Sequence, residues 1–236
     1  MKKSKERQQQ GLYVVEGRKM FMEACELGLV QKAYLSESYA SECGSVTCEH
    51  EIVSDDVFNR IAETVTPQGV IALVKMPKRD VKDITENAQS LLLLEDLQDP
   101  GNLGTMIRTA EAAGMDGVIL SKTSVDIYNP KVVRSTMGAV FRMPVFYVED
   151  LTGLVRDINL KGFNTFATHL SARKNYFEAD YSGKTAILIG NEGNGLSDEV
   201  TALAKEKVII PMSGKVESLN ASVAAALMMY EIKRHR

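Results

Sequence analysis

From Gly17 to Leu27 apolar residues return at helical spacing, with Met20, Phe21, Ala24 and Cys25 on one side, and the run stops at Gly28, a residue suited to a helix end. Short β-rich runs follow. Ala33–Leu35 and Gly69–Val74 predict strands, and Ser54 is placed to cap a second helix predicted over Asp55–Thr64. Together these make a small α/β unit. The next stretch, MPKRDVKDITEN at Met76–Asn87, is polar, charged and interrupted by Pro77, so it is the best candidate for a linker.

Beyond it, strand-like and helix-like segments alternate. LLLLE at Leu91–Glu95 precedes a helix over Asn102–Ala113, and GVIL at Gly117–Leu120 precedes one near Pro130–Met137. PVFYV at Pro144–Val148 is followed by a helix near Leu151–Leu160, then FNTFAT at Phe163–Thr168 and AILIG at Ala186–Gly190. KVIIP at Lys207–Pro211 and a long helix over Leu219–Arg234 close the chain. Apolar runs without alternation, separated by helices, predict an α/β fold with a parallel sheet covered on both faces.

Ligands on such sheets bind outside the carboxyl ends of the strands. Three of those ends carry unusual loops: EDLQDPGNLGTMIRTAEAAG, GNEGNGLSDE and PMSGKVESLNAS. The glycines of GNEGNG at Gly190–Gly195 let backbone groups approach a ligand or make a tight turn. Their order is G-x-x-G-x-G after a late strand, which is not the G-x-G-x-x-G that follows the first strand of a dinucleotide fold, and this disfavours a nicotinamide or flavin enzyme. In the first loop Asn102, Arg108 and Glu111 lie on the opening turns of a helix, where Asn102 suits an N-cap and Arg108 points either into the cleft or into water. In the third, Ser218 and Asn220 stand where capping residues also stand.

Composition narrows the setting. No run approaches the roughly 20 apolar residues of a membrane span, and the opening MKKSKERQQQ has no apolar stretch behind it, which predicts a cytoplasmic protein. Cys25, Cys43 and Cys48 form no CxxC pair, and with His50, His169 and His235 they offer no metal-ligand spacing. A net charge of −3 argues against a broad nucleic-acid coat. Any RNA contact is then a local patch, for which Lys2, Lys3, Lys5 and Arg7, then Lys75, Lys78 and Arg79, then Lys233, Arg234 and Arg236 are candidates.

The three loops together resemble the SpoU (TrmH-like) family of RNA ribose methyltransferases in the SPOUT class. The stretches that carry the resemblance are DPGNLGTMIRTAEAAG at Asp99–Gly114, ILIGNEGNGLSDEV at Ile187–Val200 and VIIPMSGKVESLNASVAAALMMYE at Val208–Glu231, with NPKVVRSTMGAVFRMPV at Asn129–Val145 between them. GLYVVEGRKMFMEA at Gly11–Ala24 is similar to the small L30e-like substrate-binding domain that often precedes that catalytic domain. The resemblance implies an L30e-like RNA-binding domain over residues 1–80 and a SpoU-type methyltransferase domain over 88–236, with a deep C-terminal trefoil knot, an exception to the rule that chains do not thread loops. It also implies a homodimer with sites completed near the subunit interface, S-adenosylmethionine as cofactor and no metal.

Carried over by motif, Gly190, Ile210 and Leu219 contact the cofactor, with Met212 nearby. Asn102, Glu192, Ser218 and Asn220 orient the reacting groups, and Arg108 matches the family's catalytic arginine. A guanidinium is a poor base at neutral pH, so Arg108 either removes the proton of the 2′-hydroxyl or grips a phosphate and stabilises the alkoxide while the proton leaves to a phosphate oxygen, Glu192 or water. The expected substrate is structured RNA, 23S rRNA before tRNA, and the alternative is a catalytically inactive RNA-binding or ribosome-assembly protein.

Overall fold

A computed structural model describes residues 3–236, so Lys2 lies outside the described residues. Contacts group the chain into two compact units, one of residues 1–78 with 126–141, the other of residues 79–125 with 142–236.

In the first unit α1 (Ser4–Gln10) leads into β1 (Leu12–Glu16) and α2 (Arg18–Glu26), then β2 (Val30–Ser36), α3 (Glu37–Glu42), β3 (His50–Val53), α4 (Asp55–Ile61) and β4 (Val70–Lys75). The sheet runs β1-β4-β2-β3, with β4 antiparallel to both neighbours and β2 parallel to β3. Helix α2 ends as its pattern predicts, with Gly28 at φ +66° just past the last turn. Ser54 caps α4 through Val57, but the helix stops at Ile61, short of Thr64. The reason is Glu16 at the end of β1, whose carboxylate accepts from the Glu63 and Thr64 amides and the Thr64 hydroxyl and so draws that stretch into a loop.

Arg7 is not a free patch residue. It is buried, and its Nη2 donates to Asp126 at 2.5 Å, which ties α1 to the segment 126–141. That segment carries α7 (Pro130–Ser135) and most of α8 (Ala139–Arg142). It also brings the Tyr128 ring within 4.6 Å of the Tyr13 ring.

The second unit opens with a departure from expectation. Val81–Asn87, expected within the linker, is a helix, α5, capped by Asp80 and burying Thr85. A polar sequence with one good N-cap suffices where one side has a core to lie on. Then come β5 (Ser90–Leu94), α6 (Pro100–Ala113), β6 (Gly117–Ser121), β7 (Val145–Val148), α9 (Leu151–Leu160), β8 (Asn164–Thr168) and a two-residue β9 (Lys174–Asn175). β10 (Thr185–Ile189), α10 (Asp198–Leu203), β11 (Glu206–Ile209) and α11 (Ala221–Arg234) complete it.

Seven strands form one sheet in the order β7-β6-β5-β10-β8-β11-β9, and every pairing is parallel. Every residue of β5, β6 and β10 is buried, which is why those strands read as unbroken apolar runs. Leu91 and Leu93 pack with Val155 and Ile158 of α9 and Val200 of α10. The alternate residues Leu92 and Leu94 are equally buried on the opposite face, where α6 and α11 lie against each other. Each buried leucine contributes about 1.5–3 kcal/mol relative to exposure. After β11 the chain turns back past β8 so that α11 rests on β10 and α6, the course the knotted family fold calls for.

Candidate active site

The site is built on the carboxyl edge of this parallel sheet, where the loops after β5, β10 and β11 meet. A cavity of about 290 Å³ lies there, walled by Ile189, Leu196, Val208, Ile210, Met212 and Leu219, with the Gly190–Gly195 loop across it. Gly190 is demanded by packing: a Cβ there would stand 2.0 Å from the Gly195 carbonyl carbon and 2.1 Å from the Leu196 nitrogen. The loop closes on itself through reciprocal backbone bonds between Asn191 and Gly195, at 3.0 and 2.9 Å. Asn191 holds it from inside, its Oδ1 accepting from the Gly193 and Asn194 amides and its Nδ2 donating to the Asp96 carbonyl at 2.8 Å.

Asn102 departs from its expected place. The N-cap of α6 is Asp99, whose Oδ1 accepts from the Asn102 amide at 2.7 Å. Asn102 therefore sits inside the first turn with its side chain free for other work, and it is buried. Its Nδ2 donates to Glu192 Oε1 at 3.0 Å, and its Oδ1 accepts from Asn220 Nδ2 at 2.9 Å. Asn220 has two jobs, because its Oδ1 also caps α11 through Ser222 and Val223. One side chain from each loop thus joins a single chain of hydrogen bonds, Glu192 to Asn102 to Asn220.

The Glu192 carboxylate also accepts from the Gln98 and Asp99 amides at 3.2 and 3.0 Å. Burial pushes its pKa upward, but the bond from Asn102 and the backbone amides outweigh that, and the carboxyl is held below the usual glutamate range. It is therefore a fixed negative charge at neutral pH on the edge of an apolar cavity.

Of the residues expected at the site, Gly190, Glu192, Ile210, Met212, Ser218 and Leu219 all line the cavity. Asn102 and Asn220 reach it through Glu192. Arg108 does not join them: it is exposed on α6, outside the lining, and makes no hydrogen bond or ion pair among the described residues. Glu111 is turned away too, holding Arg142 Nε at 2.7 Å. At the tail, Lys233 donates to the Ala112 carbonyl, Arg234 pairs with Glu231 and Arg236 donates to Ser90 Oγ, so that basic group is largely engaged within the chain. The loop after β8 is a wall that the sequence did not reveal. Thr168, His169 and Leu170 line the cavity because β8 lies between β10 and β11 in the sheet, an order that no local pattern encodes.

Comparison with known proteins gives the family. Residues 89–230 match the SpoU rRNA Methylase family, and residues 1–72 match the MRM3-like substrate binding domain. The chain belongs to the SpoU family. It is 33% identical over 231 residues to the 23S rRNA (guanosine(2553)-2′-O)-methyltransferase RlmP of Bacillus subtilis, covering 97% of this chain and 91% of that one. Among solved structures, an AdoMet-bound rRNA methyltransferase from Sinorhizobium meliloti superposes with a TM-score of 0.88 at 30% identity, over 99% of this chain and 91% of that one. The SpoU methyltransferase AviRb from Streptomyces viridochromogenes does so with a TM-score of 0.86 at 30% identity, over 99% and 93%.

Proposed function

We propose that this SpoU-family protein transfers the methyl group of S-adenosylmethionine to a ribose 2′-hydroxyl of 23S rRNA in the cytoplasm. The observation that carries the reading is the hydrogen-bonded chain Glu192–Asn102–Asn220 at the mouth of an apolar cavity floored by the Gly190 loop. The cavity fits the cofactor: its apolar walls suit a purine nucleoside, its loop offers backbone donors and acceptors, and the Glu192 carboxylate in its lining has the sign that attracts a cationic ligand. RlmP, named as a 2′-O-methyltransferase of 23S rRNA, supports the choice of acceptor and of RNA.

When bound, the cofactor supplies an electrophilic methyl group on sulfur. The protein's part is orientation, which lowers the barrier without a covalent enzyme intermediate. Gly190, Ile210, Met212 and Leu219 hold the cofactor, while Asn102, Glu192, Ser218 and Asn220 fix the acceptor ribose. Arg108, exposed and outside the cavity lining, would grip the neighbouring phosphate and stabilise the developing alkoxide at a site completed near the subunit interface, while the hydroxyl proton leaves to a phosphate oxygen or water.

We infer that the working form is a homodimer. Val223 and Tyr230 of α11, seven residues apart on one face, are 47% and 50% exposed beside α6, an apolar strip suited to a second copy. The test is to incubate the protein with labelled S-adenosylmethionine and ribosomal RNA and to digest the product to nucleosides. Label in a 2′-O-methyl nucleoside is expected; label in a base-methylated nucleoside, or none, would overturn the reading.

A further inference from the structure

His169 follows the last residue of β8 and is fixed at both its backbone and its ring. Its amide donates to the Val208 carbonyl at 3.0 Å, which holds it against β11, and its carbonyl accepts from the Ala172 amide at 3.1 Å to close a turn that its side chain faces. The Ser171 backbone N–H lies 3.1 Å from Nδ1, and the Ser171 hydroxyl lies 2.8 Å from the same atom. A backbone N–H can only donate, so Nδ1 is an acceptor and the ring proton of the neutral imidazole is on Nε2. Nε2 has no partner among the described residues, and His169 lines the cavity.

Of the other polar side chains around that cavity, Asn194 and Ser218 make no side-chain hydrogen bond among the described residues, while three are committed. Asn191 spends both ends on the loop and Asp96, Glu192 accepts from Asn102 and two amides, and Thr168 donates to the Leu188 carbonyl at 3.3 Å. His169 thus brings to the cavity lining a ring whose orientation is fixed by Ser171 and whose second nitrogen is a donor.

We propose that His169 is a cofactor-binding residue whose Nε2–H donates a hydrogen bond to an acceptor oxygen of the S-adenosyl compound. The proposal rests on the S-adenosylmethionine reading of the cavity. Two groups of that compound offer the required chemistry, the amino-acid carboxylate and the ribose hydroxyls.

Two substitutions separate the donor from the turn. In His169→Asn the side-chain oxygen takes the place of Nδ1 and still accepts from Ser171 two residues on, as asparagine does in its own turns, but the Nε2 donor is gone. In His169→Gln an amide N–H reaches the Nε2 position while the acceptor for Ser171 is lost. Titration calorimetry with S-adenosylhomocysteine on the full chain is expected to show about tenfold weaker binding for asparagine and near-normal binding for glutamine. A purely structural role gives the reverse order. Asparagine binding like the natural protein, or glutamine as weak as asparagine, would overturn the proposal. Failure of the natural protein to bind S-adenosylhomocysteine would instead overturn the cofactor reading beneath it. Repeating the titration with 5′-methylthioadenosine, which lacks the amino-acid part, locates the oxygen: a loss that persists points to the ribose, one that disappears to the carboxylate.

Discussion

The chemistry of the site turns on which of two neighbouring residues caps α6. Asp99 takes the role, so the Asn102 side chain is released to bridge Glu192 and Asn220. Both residues are good caps by type, and the sequence alone favoured Asn102 because the position of the first turn depends on how the chain leaves β5. Glu192 was legible as a polar residue in a glycine loop, but its ionised state comes from donors contributed by α6 and the loop before it. A carboxyl whose pKa is lower in the folded than in the unfolded protein adds stability that is present above the unfolded value and lost as pH falls through the folded one. Denaturation of the natural protein and of Glu192→Gln is therefore expected to show a constant stability gap from pH 7 to about pH 5. The gap closes as pH drops through the usual glutamate range of about 4.3 and below; one unchanged into strong acid would contradict the assignment. At Gly190 the expectation is steric. Gly190→Ala forces a backbone clash, so thermal and denaturant unfolding should show a loss of about 2–3 kcal/mol, and calorimetry a loss of cofactor binding.

Elements buried on both sides were the easiest to read. β5, β6 and β10 appear as apolar runs because the sheet is covered on both faces, whereas β9, with two residues, leaves no pattern. The polar run at Val81–Asn87 was misread as linker because a helix with one buried side resembles a charged loop when its apolar positions are few. Arg7 shows the same difficulty for charge: among Lys3 and Lys5 it looks like a solvated patch, yet it is buried against Asp126. Removing the buried Arg7 leaves the partly exposed Asp126 without its cation. Arg7→Met is expected to destabilise the first unit by about 2–3 kcal/mol, measured by urea unfolding. Faster amide exchange should accompany this over 126–141, while cofactor affinity stays unchanged. Weakened cofactor binding with normal stability would show that this pair serves the site instead.

For the whole molecule, the alternation of strands and helices makes the parallel sheet legible, but the strand order β5-β10-β8-β11 does not follow from it, and that order makes the loop after β8 a wall of the cavity. Association of subunits depends on surface that a sequence does not mark. Val223→Glu with Tyr230→Glu is expected to shift the protein from dimer to monomer in sedimentation and to remove turnover. A double variant that stays dimeric, or a monomer with full turnover, would contradict the proposed interface. The central claim, that the acceptor is a ribose oxygen, is tested most directly with an RNA carrying a single 2′-deoxy nucleotide at the modified position. Its phosphates and shape remain available, so binding should weaken by no more than about 1.5 kcal/mol while methyl transfer falls to background. Methyl transfer continuing on that RNA would show that a base atom is the acceptor and that the account of this site is wrong.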